Sequence, residues 1–123
     1  MPSVQNENSL IAAIRCYFDL MYDCDITYFD TVFQNTAQLH GFRDGQMVAW
    51  PAGEYREILA SRTSPKALGA PREEEILLID FASETQAVAK VKVRIGQNLF
   101  IDYLVYHKID GDWKITSKAY HIC

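Results

Sequence analysis

The N-terminal part of the chain carries apolar residues at spacings of three and four. Between Ser3 and Asp23 they form one stripe, made of Leu10, Ile11, Ile14, Tyr17, Phe18, Met21 and Tyr22. This period predicts a helix with one buried face, and Ser3 or Asn6 can cap its start. A second, shorter helix is predicted over 26–33, and the polar run 34–36 predicts a turn after it.

From residue 37 the apolar runs become short and are separated by turn residues. Asp44-Gly45 lies between two such runs within 37–50, which indicates a β-hairpin. A third helix is predicted over 51–62, because Pro51 suits the first turn of a helix. Two prolines and a glycine predict a loop over 63–71.

The C-terminal half predicts four strands, at about 75–83, 86–95, 99–109 and 113–122. Short turns between them, of which Asp110-Gly111 is the strongest signal, predict an antiparallel meander. The predicted fold class is therefore α+β, with three N-terminal helices on a strongly curved antiparallel sheet of about six strands. We expect residues 1–123 to form a single domain.

Hairpin loops at Gly96-Gln97 and Asp110-Gly111 assign each strand residue to one of two faces, with Asp102 opposite Ala119 and Leu104 opposite Ser117. The face that must pack on the helices collects Ala87, Ala89, Val91, Val93, Phe100, Asp102, Leu104, Tyr106, Trp113, Ile115 and His121. The other collects Val88, Lys90, Lys92, Arg94, Ile101, Tyr103, Val105, His107, Thr116, Lys118 and Tyr120. This second face is too apolar for a purely solvated surface, so we expect a homodimer interface there.

Asp102 is the most unusual residue of the predicted core face. A buried carboxylate costs free energy unless it is paired, so Asp102 is either an acid, base or ligand anchor, or a structural carboxylate satisfied by Tyr17, Trp50 or backbone N–H groups. His121 and His40 are weaker candidates. His121 shares the core face but lies near the end of its strand, where a histidine can contact solvent, and His40 follows the second helix beside Gly41. Several aromatic residues can bury a ring and offer a polar tip, namely Tyr17, Tyr22, Trp50, Tyr55 and Tyr106.

The net charge and the cysteines indicate which partners and which cell compartment to expect. A net charge of −4 argues against nucleic acid as a partner. The three cysteines match no zinc or redox spacing and fit a reducing compartment, and no apolar run approaches the ~20 residues of a membrane span. We therefore expect a cytoplasmic protein without membrane contact.

The three histidines are not spaced as a metal site, and no nucleotide or metalloprotease motif is present, so we expect neither metal nor cofactor.

Two stretches of the sequence resemble a known superfamily. One is SPKALG at 64–69 with EILLID at 75–80; the other is FIDYL at 100–104 with KIDGDWKI at 108–115 and KAYH at 118–121. Together with the element order, they are similar to the nuclear transport factor 2-like superfamily, and within it to the "putative lumazine-binding" and SnoaL-like families. The resemblance implies a cone, in which a bent sheet wraps the first helix around a pocket, and it implies homodimers.

The same resemblance bears on chemistry, because the superfamily includes ketosteroid isomerases, scytalone dehydratase and polyketide cyclases. Tyr17 falls near the oxyanion tyrosine of the isomerases. Their general-base aspartate falls near Gly41, which has no side chain, and their second oxyanion acid falls near Leu104 or Tyr106.

Three hypotheses follow. The first is a protein that binds a small aromatic or heterocyclic molecule without catalysis, in a mostly apolar pocket lined by Tyr17, Met21, Phe33, Trp50, Tyr55, Asp102, Tyr106, Trp113 and His121. The second is an isomerase, dehydratase or cyclase, with Asp102 or His40 as the base and Tyr17 as hydrogen-bond donor. The third is a structural dimerisation module whose cavity is filled by side chains. The first two require a cavity near Asp102 larger than a few waters.

Overall fold

The computed structural model describes residues 2–123 and confirms the predicted α+β class. The helical elements are α1 (Val4–Asp23), a 3-10 turn (Ile26–Tyr28), α2 (Phe29–Val32) and α3 (Ala52–Ser61). The strands are β1 (Phe33–Arg43), β2 (Gln46–Pro51), β3 (Glu74–Phe81), β4 (Gln86–Ile95), β5 (Asn98–Ile109) and β6 (Asp112–Ile122). The predicted element order is thus correct, and most boundaries agree within one or two residues.

The first helix begins and ends where its caps allow. The Ser3 hydroxyl accepts a hydrogen bond from the Asn6 backbone N–H at 3.0 Å, which satisfies one of the free donors of the first turn. Cys24 ends the helix in the left-handed conformation, with its N–H donating to the Leu20 carbonyl at 2.9 Å. Between these caps Leu10, Ile14, Tyr17, Phe18 and Met21 of the predicted stripe are buried, and Ile11 and Tyr22 are partly buried.

The six strands form one sheet in the order β2-β1-β6-β5-β4-β3. All neighbours are antiparallel except β1 and β6, which run parallel. The predicted turn at 34–36 is wrong, because β1 already begins at Phe33. Residues 34–36 lie between Phe33 and Gln38, where the register between β1 and β6 shifts. Both Phe33 and Gln38 pair with β6, so the polar residues between them stay in the strand although their composition favours a turn.

The predicted strand register is correct for β4 with β5 and fails halfway along β6. Tyr106 pairs with Ile115 as expected, but Val105 pairs with Ser117, so Thr116 is an additional residue in β6. Such a β-bulge reverses the direction of every side chain beyond it. Asp102 therefore faces Tyr120 instead of Ala119, and Leu104 faces Lys118 instead of Ser117.

This bulge corrects three face assignments. Lys118 and Tyr120, predicted on the outer face, are buried on the face that packs on the helices. His121, predicted on that core face, is exposed on the outer face. The predicted outward positions before the bulge, such as Tyr103, remain outward, and Tyr103 is 46% exposed.

One continuous core fills the space between the helices and the sheet. Its fully buried members come from α1, α2, α3 and four of the strands, and they include Leu10, Ile14, Phe29, Leu59, Leu39, Ala89, Leu104 and Ile115. The loop at 63–71 is held against α1, because the Tyr22 hydroxyl donates to the Ala70 carbonyl at 2.8 Å. Within residues 2–123, no helix combines the length and the apolarity that a membrane crossing requires.

Candidate functional site

Asp102 lies in the middle of β5 and is 1% exposed. The Tyr17 hydroxyl, projecting from α1, donates a hydrogen bond to Asp102 Oδ2 at 2.5 Å. Burial raises the pKa of Tyr17 well above its ordinary value, and the negative charge of Asp102 raises it further. The Tyr17 hydroxyl therefore stays protonated at neutral pH and can donate to Asp102. This agrees with the interpretation that Tyr17 satisfies a buried carboxylate.

The bulge in β6 brings Lys118, which was predicted on the outer face, beside the Tyr17–Asp102 pair. Lys118 is 5% exposed, and its Nζ lies 3.9 Å from Asp102 Oδ2. The same ammonium donates to the Tyr55 hydroxyl at 3.4 Å and lies 5.1 Å and 4.9 Å from the ring centroids of Tyr17 and Tyr55. Two aromatic faces and a carboxylate thus stabilise a charge that is removed from water.

A small cavity adjoins the pair. Its volume is about 20 Å³, which is room for roughly one water molecule. Asp102 Oδ1 and Arg62 Nη1 are both buried, and neither has a hydrogen-bond partner among residues 2–123. The walls of the cavity are formed by Leu39, Arg43, Trp50, Tyr55, Arg62, Ile95, Phe100, Asp102, Lys118 and Tyr120.

Arg43 and two aromatic rings form one part of the cavity wall. The Arg43 guanidinium lies 5.7 Å from the Trp50 ring centroid and 5.6 Å from that of Tyr120, and its Nε donates to the Tyr120 hydroxyl at 3.3 Å. The Trp50 ring stacks between those of Tyr55 and Tyr120, at centroid distances of 6.0 Å and 6.2 Å. Because the cavity holds about 20 Å³, a molecule larger than water fits only if side chains of the wall move.

Gly41 allows this arrangement. It pairs with Tyr120 across the β1–β6 boundary, and a Cβ at Gly41 would overlap the Tyr120 ring. The position that resembles the general-base position of ketosteroid isomerases therefore has no side chain, and the space a side chain would need is occupied by an aromatic ring.

The structure brings together six of the nine predicted lining residues. Tyr17, Trp50, Tyr55 and Asp102 surround the cavity or the pair beside it. Met21 Sδ accepts a hydrogen bond from the Tyr55 hydroxyl at 3.3 Å, and the Phe33 ring contacts those of Tyr17 and Tyr55 edge-on, at 6.2 Å and 5.7 Å.

Four predicted site residues lie elsewhere. Tyr106 is fully buried away from the cavity walls, and Trp113 donates from Nε1 to the Ser9 hydroxyl at 3.1 Å. His40 and His121 are exposed on the outer face, where His40 pairs with Ala49 and Ala119. The structure thus does not bring either histidine to Asp102.

Larger depressions exist, but they lack the chemistry of this cavity. One of about 290 Å³ lies between α1 and the residues that follow it, lined by Cys16, Asp19, Leu20, Asp23, Asp25, Tyr28, Thr31 and Val32. None of the buried polar atoms without a partner in residues 2–123 belongs to it. Within the same residues, no group of three or more His, Cys, Asp or Glu side chains is placed to hold a metal ion.

The chain is similar in structure to several solved proteins. An NTF-2 like protein of unknown function from Silicibacter pomeroyi superposes with a TM-score of 0.84 at 19% identity, over 100% of both chains. An NTF2-like protein of unknown function from Shewanella baltica gives 0.86 at 22% identity, over 100% of this chain and 98% of that one. A ketosteroid isomerase-like protein from Erwinia carotovora gives 0.72 at 13% identity, over 94% of each. At these identities the likeness shows the fold.

Sequence comparison supplies the family. No curated protein matches the chain. The model of the family described as "Putative lumazine-binding" matches residues 5–121, which is nearly the whole chain. The chain therefore belongs to this family, and its fold is that of nuclear transport factor 2-like proteins.

Proposed function

We propose that the protein binds a small organic molecule at the cavity beside Asp102. One observation carries the proposal: an acceptor, Asp102 Oδ1, and a donor, Arg62 Nη1, are buried without partners among residues 2–123, and both belong to residues that line the same cavity. Buried polar groups are nearly always hydrogen-bonded, and each unpaired one costs about 1–3 kcal/mol. A ligand that satisfies both atoms recovers this free energy.

The size of the closed cavity sets a condition on binding. At about 20 Å³ it is smaller than the binding hypothesis requires, so the ligand must displace side chains at the mouth. Arg43 is the side chain best placed to move, since it lies at the end of β1 and is only partly buried. Its departure would uncover the rings of Trp50 and Tyr120, which offer flat apolar surfaces to an aromatic ligand.

The catalytic alternative has a narrower basis. Asp102 and Tyr17 are in hydrogen-bond contact, so an acid–base pair exists. His40, the other candidate base, lies on the opposite face of the sheet. If the protein is an isomerase or dehydratase, Asp102→Asn should abolish turnover of any ligand found while leaving its affinity largely unchanged.

A thermal-shift screen against aromatic and heterocyclic metabolites tests the binding proposal, because a ligand selective for the folded state raises its stability by about 2.7 kcal/mol at a hundred times Kd. The screen should be repeated with Asp102→Asn, and with Arg15→Gln as a control on the exposed side of α1. We expect hits whose shift is lost in Asp102→Asn and kept in Arg15→Gln. Hits that ignore both substitutions would contradict recognition through Asp102, and no hits at all would favour the structural module with a filled cavity.

We also propose that the protein forms homodimers through the outer sheet face. That face exposes large apolar side chains, among them Phe42 at 62% and Tyr103 at 46%. Size-exclusion chromatography with light scattering should show a dimer that Tyr103→Glu converts to a monomer. Leu68→Glu, at an exposed apolar residue in the loop after α3, should leave the dimer intact. A monomeric unmodified protein would contradict the proposal.

A cytoplasmic location is proposed on a separate ground. Cys16, Cys24 and Cys123 are all unpaired. Free thiols fit a reducing compartment. Fractionation of cells that express the tagged chain, followed by alkylation of its thiols without prior reduction, tests the location directly.

A further inference from the structure

The charge of the cavity is opposite to that of the protein. The chain as a whole carries a net charge of −4. The cavity walls nevertheless contain three cationic side chains, Arg43, Arg62 and Lys118, against the single carboxylate of Asp102. A concave site with an excess of positive charge and low-dielectric walls attracts anions.

Two of the three cations already have partners. Lys118 contacts Asp102 and the Tyr55 hydroxyl. Arg43 donates to the Tyr120 hydroxyl and lies over two rings. Both are therefore stabilised in the absence of a ligand.

Arg62 differs, because it forms no ion pair among residues 2–123 and its Nη1 is buried without a hydrogen-bond partner. The neighbouring Cys24 thiol does not supply a negative charge to pair with the Arg62 guanidinium. Burial raises the pKa of the Cys24 thiol, and the Arg62 guanidinium only partly opposes that rise, so the thiol stays protonated at neutral pH. Arg62 is thus a partly exposed cation without an ion pair among residues 2–123, and its Nη1 is a buried donor that a ligand could satisfy.

We infer that the ligand is an aromatic carboxylate whose ring also carries a hydroxyl or amino group, and that Arg62 binds the carboxylate. This inference rests on the binding site proposed above. A guanidinium presents paired donors that match the geometry of a carboxylate. Asp102 Oδ1 accepts the hydrogen bond from the ring's hydroxyl or amino group, and the rings of Trp50 and Tyr120 contact the aromatic body. A phosphate dianion suits the site less well, because Asp102 repels the additional charge.

The first test compares matched probes on the unmodified protein by calorimetric titration. The probes are the three isomers of hydroxybenzoate, the corresponding hydroxybenzamides, and benzoate. The best hydroxybenzoate should bind at least about tenfold more tightly than its amide, which is the loss expected when a charge-assisted hydrogen bond is removed. Benzoate, which has no donor for Asp102 Oδ1, should bind more weakly than that isomer.

The second test removes the recognising charge. In Arg62→Gln the preference for acid over amide should disappear, while Arg62→Lys should keep part of it because the charge remains. Arg15→Gln removes the same charge from an exposed position of α1 and should leave the preference unchanged. If Arg62→Gln does not fold, Arg62→Lys and the probe series on the unmodified protein still decide the question.

The two proposals fail in different ways. If acids and amides bind equally well and both lose affinity in Asp102→Asn, the binding site stands and the carboxylate inference is overturned. If a carboxylate binds with an affinity that Arg62→Gln does not change, Arg62 is not the recognising residue. If no compound of either series binds, the carboxylate inference fails, and the proposed function is decided by the thermal-shift screen.

Discussion

Lys118 Nζ lies 3.9 Å from Asp102 Oδ2, with both side chains almost completely removed from solvent. The contact exists because Thr116 is an additional residue in β6, which places Lys118 on the helix-covered face. Without the bulge, Asp102 would be a buried carboxylate held only by Tyr17. The irregularity in the strand therefore creates the charged pair at the base of the cavity.

The pair should show strong energetic coupling. Asp102→Asn leaves the Lys118 ammonium buried without its counter-charge, and we expect a loss of about 3 kcal/mol in the free energy of unfolding. Lys118→Met should also destabilise the fold, whereas the double variant should lose less than the sum of the two single losses. Urea denaturation of the four proteins measures this coupling. Strictly additive losses would mean that the two charges do not interact across 3.9 Å.

Much of the fold was predictable because it depends on local patterns. The apolar period identified α1, and Asp110-Gly111 identified the β5–β6 hairpin with its first paired positions. The bulge was not predictable, since threonine is an ordinary strand residue and nothing in the composition marks Thr116 as additional. This one additional residue reverses the direction of Lys118 and His121. The histidine predicted in the core is therefore exposed, and the lysine predicted on the outer face is buried.

The candidate site was harder to predict than the fold for a related reason. Asp102 and Tyr17 were identified because a carboxylate and a tyrosine stand out on apolar faces. Arg43 ends a hairpin strand and Arg62 follows a helix, where a charged residue normally faces solvent. Only the pairing of β1 with β6, two strands far apart in the sequence, brings these positions to one cavity.

Two fully buried tyrosines should respond in opposite ways to loss of the hydroxyl. Tyr17→Phe removes the donor to Asp102 Oδ2, a charge-assisted hydrogen bond, and should cost about 1.5–3 kcal/mol. Tyr106→Phe removes a hydroxyl that is buried without a partner in residues 2–123, and should be neutral or stabilising by up to about 1 kcal/mol. Because the same atom is removed from equally buried rings, the two variants control for each other. Equal losses in thermal unfolding would contradict the assignment.

Gly41 should be intolerant of any side chain. In Gly41→Ala the Cβ overlaps the Tyr120 ring, and we expect overpacking to cost about 1–3 kcal/mol. Because Tyr120 stacks on Trp50, the near-ultraviolet circular dichroism of tryptophan should change as well. Gly53→Ala is the control: it lies in α3 with open space around its Cβ and should stabilise the fold by about 0.5–1 kcal/mol. An unchanged spectrum in Gly41→Ala would mean that the ring stack does not depend on this contact.

Alkaline pH should destabilise the protein through its buried tyrosines. Burial raises the pKa of both Tyr17 and Tyr106, with Asp102 adding to the rise at Tyr17. Above pH ~10 each of these hydroxyls is ionised in the unfolded chain and still protonated in the folded one, so the folded state binds two more protons. Their contribution to stability is therefore complete below pH ~10 and is lost as pH rises, at about 1.4 kcal/mol per pH unit for each tyrosine.

Urea denaturation between pH 9 and pH 11.5 measures this loss. In Tyr106→Phe the decline with pH should be shallower than in the unmodified protein by about 1.4 kcal/mol per unit, because one of the two linked protons is gone. Tyr28→Phe changes an exposed ring in the same way and should leave the decline as it is. If Tyr106→Phe and the unmodified protein lose stability in parallel, the Tyr106 hydroxyl ionises as readily in the folded state as in the unfolded one, and its burial does not hold the proton.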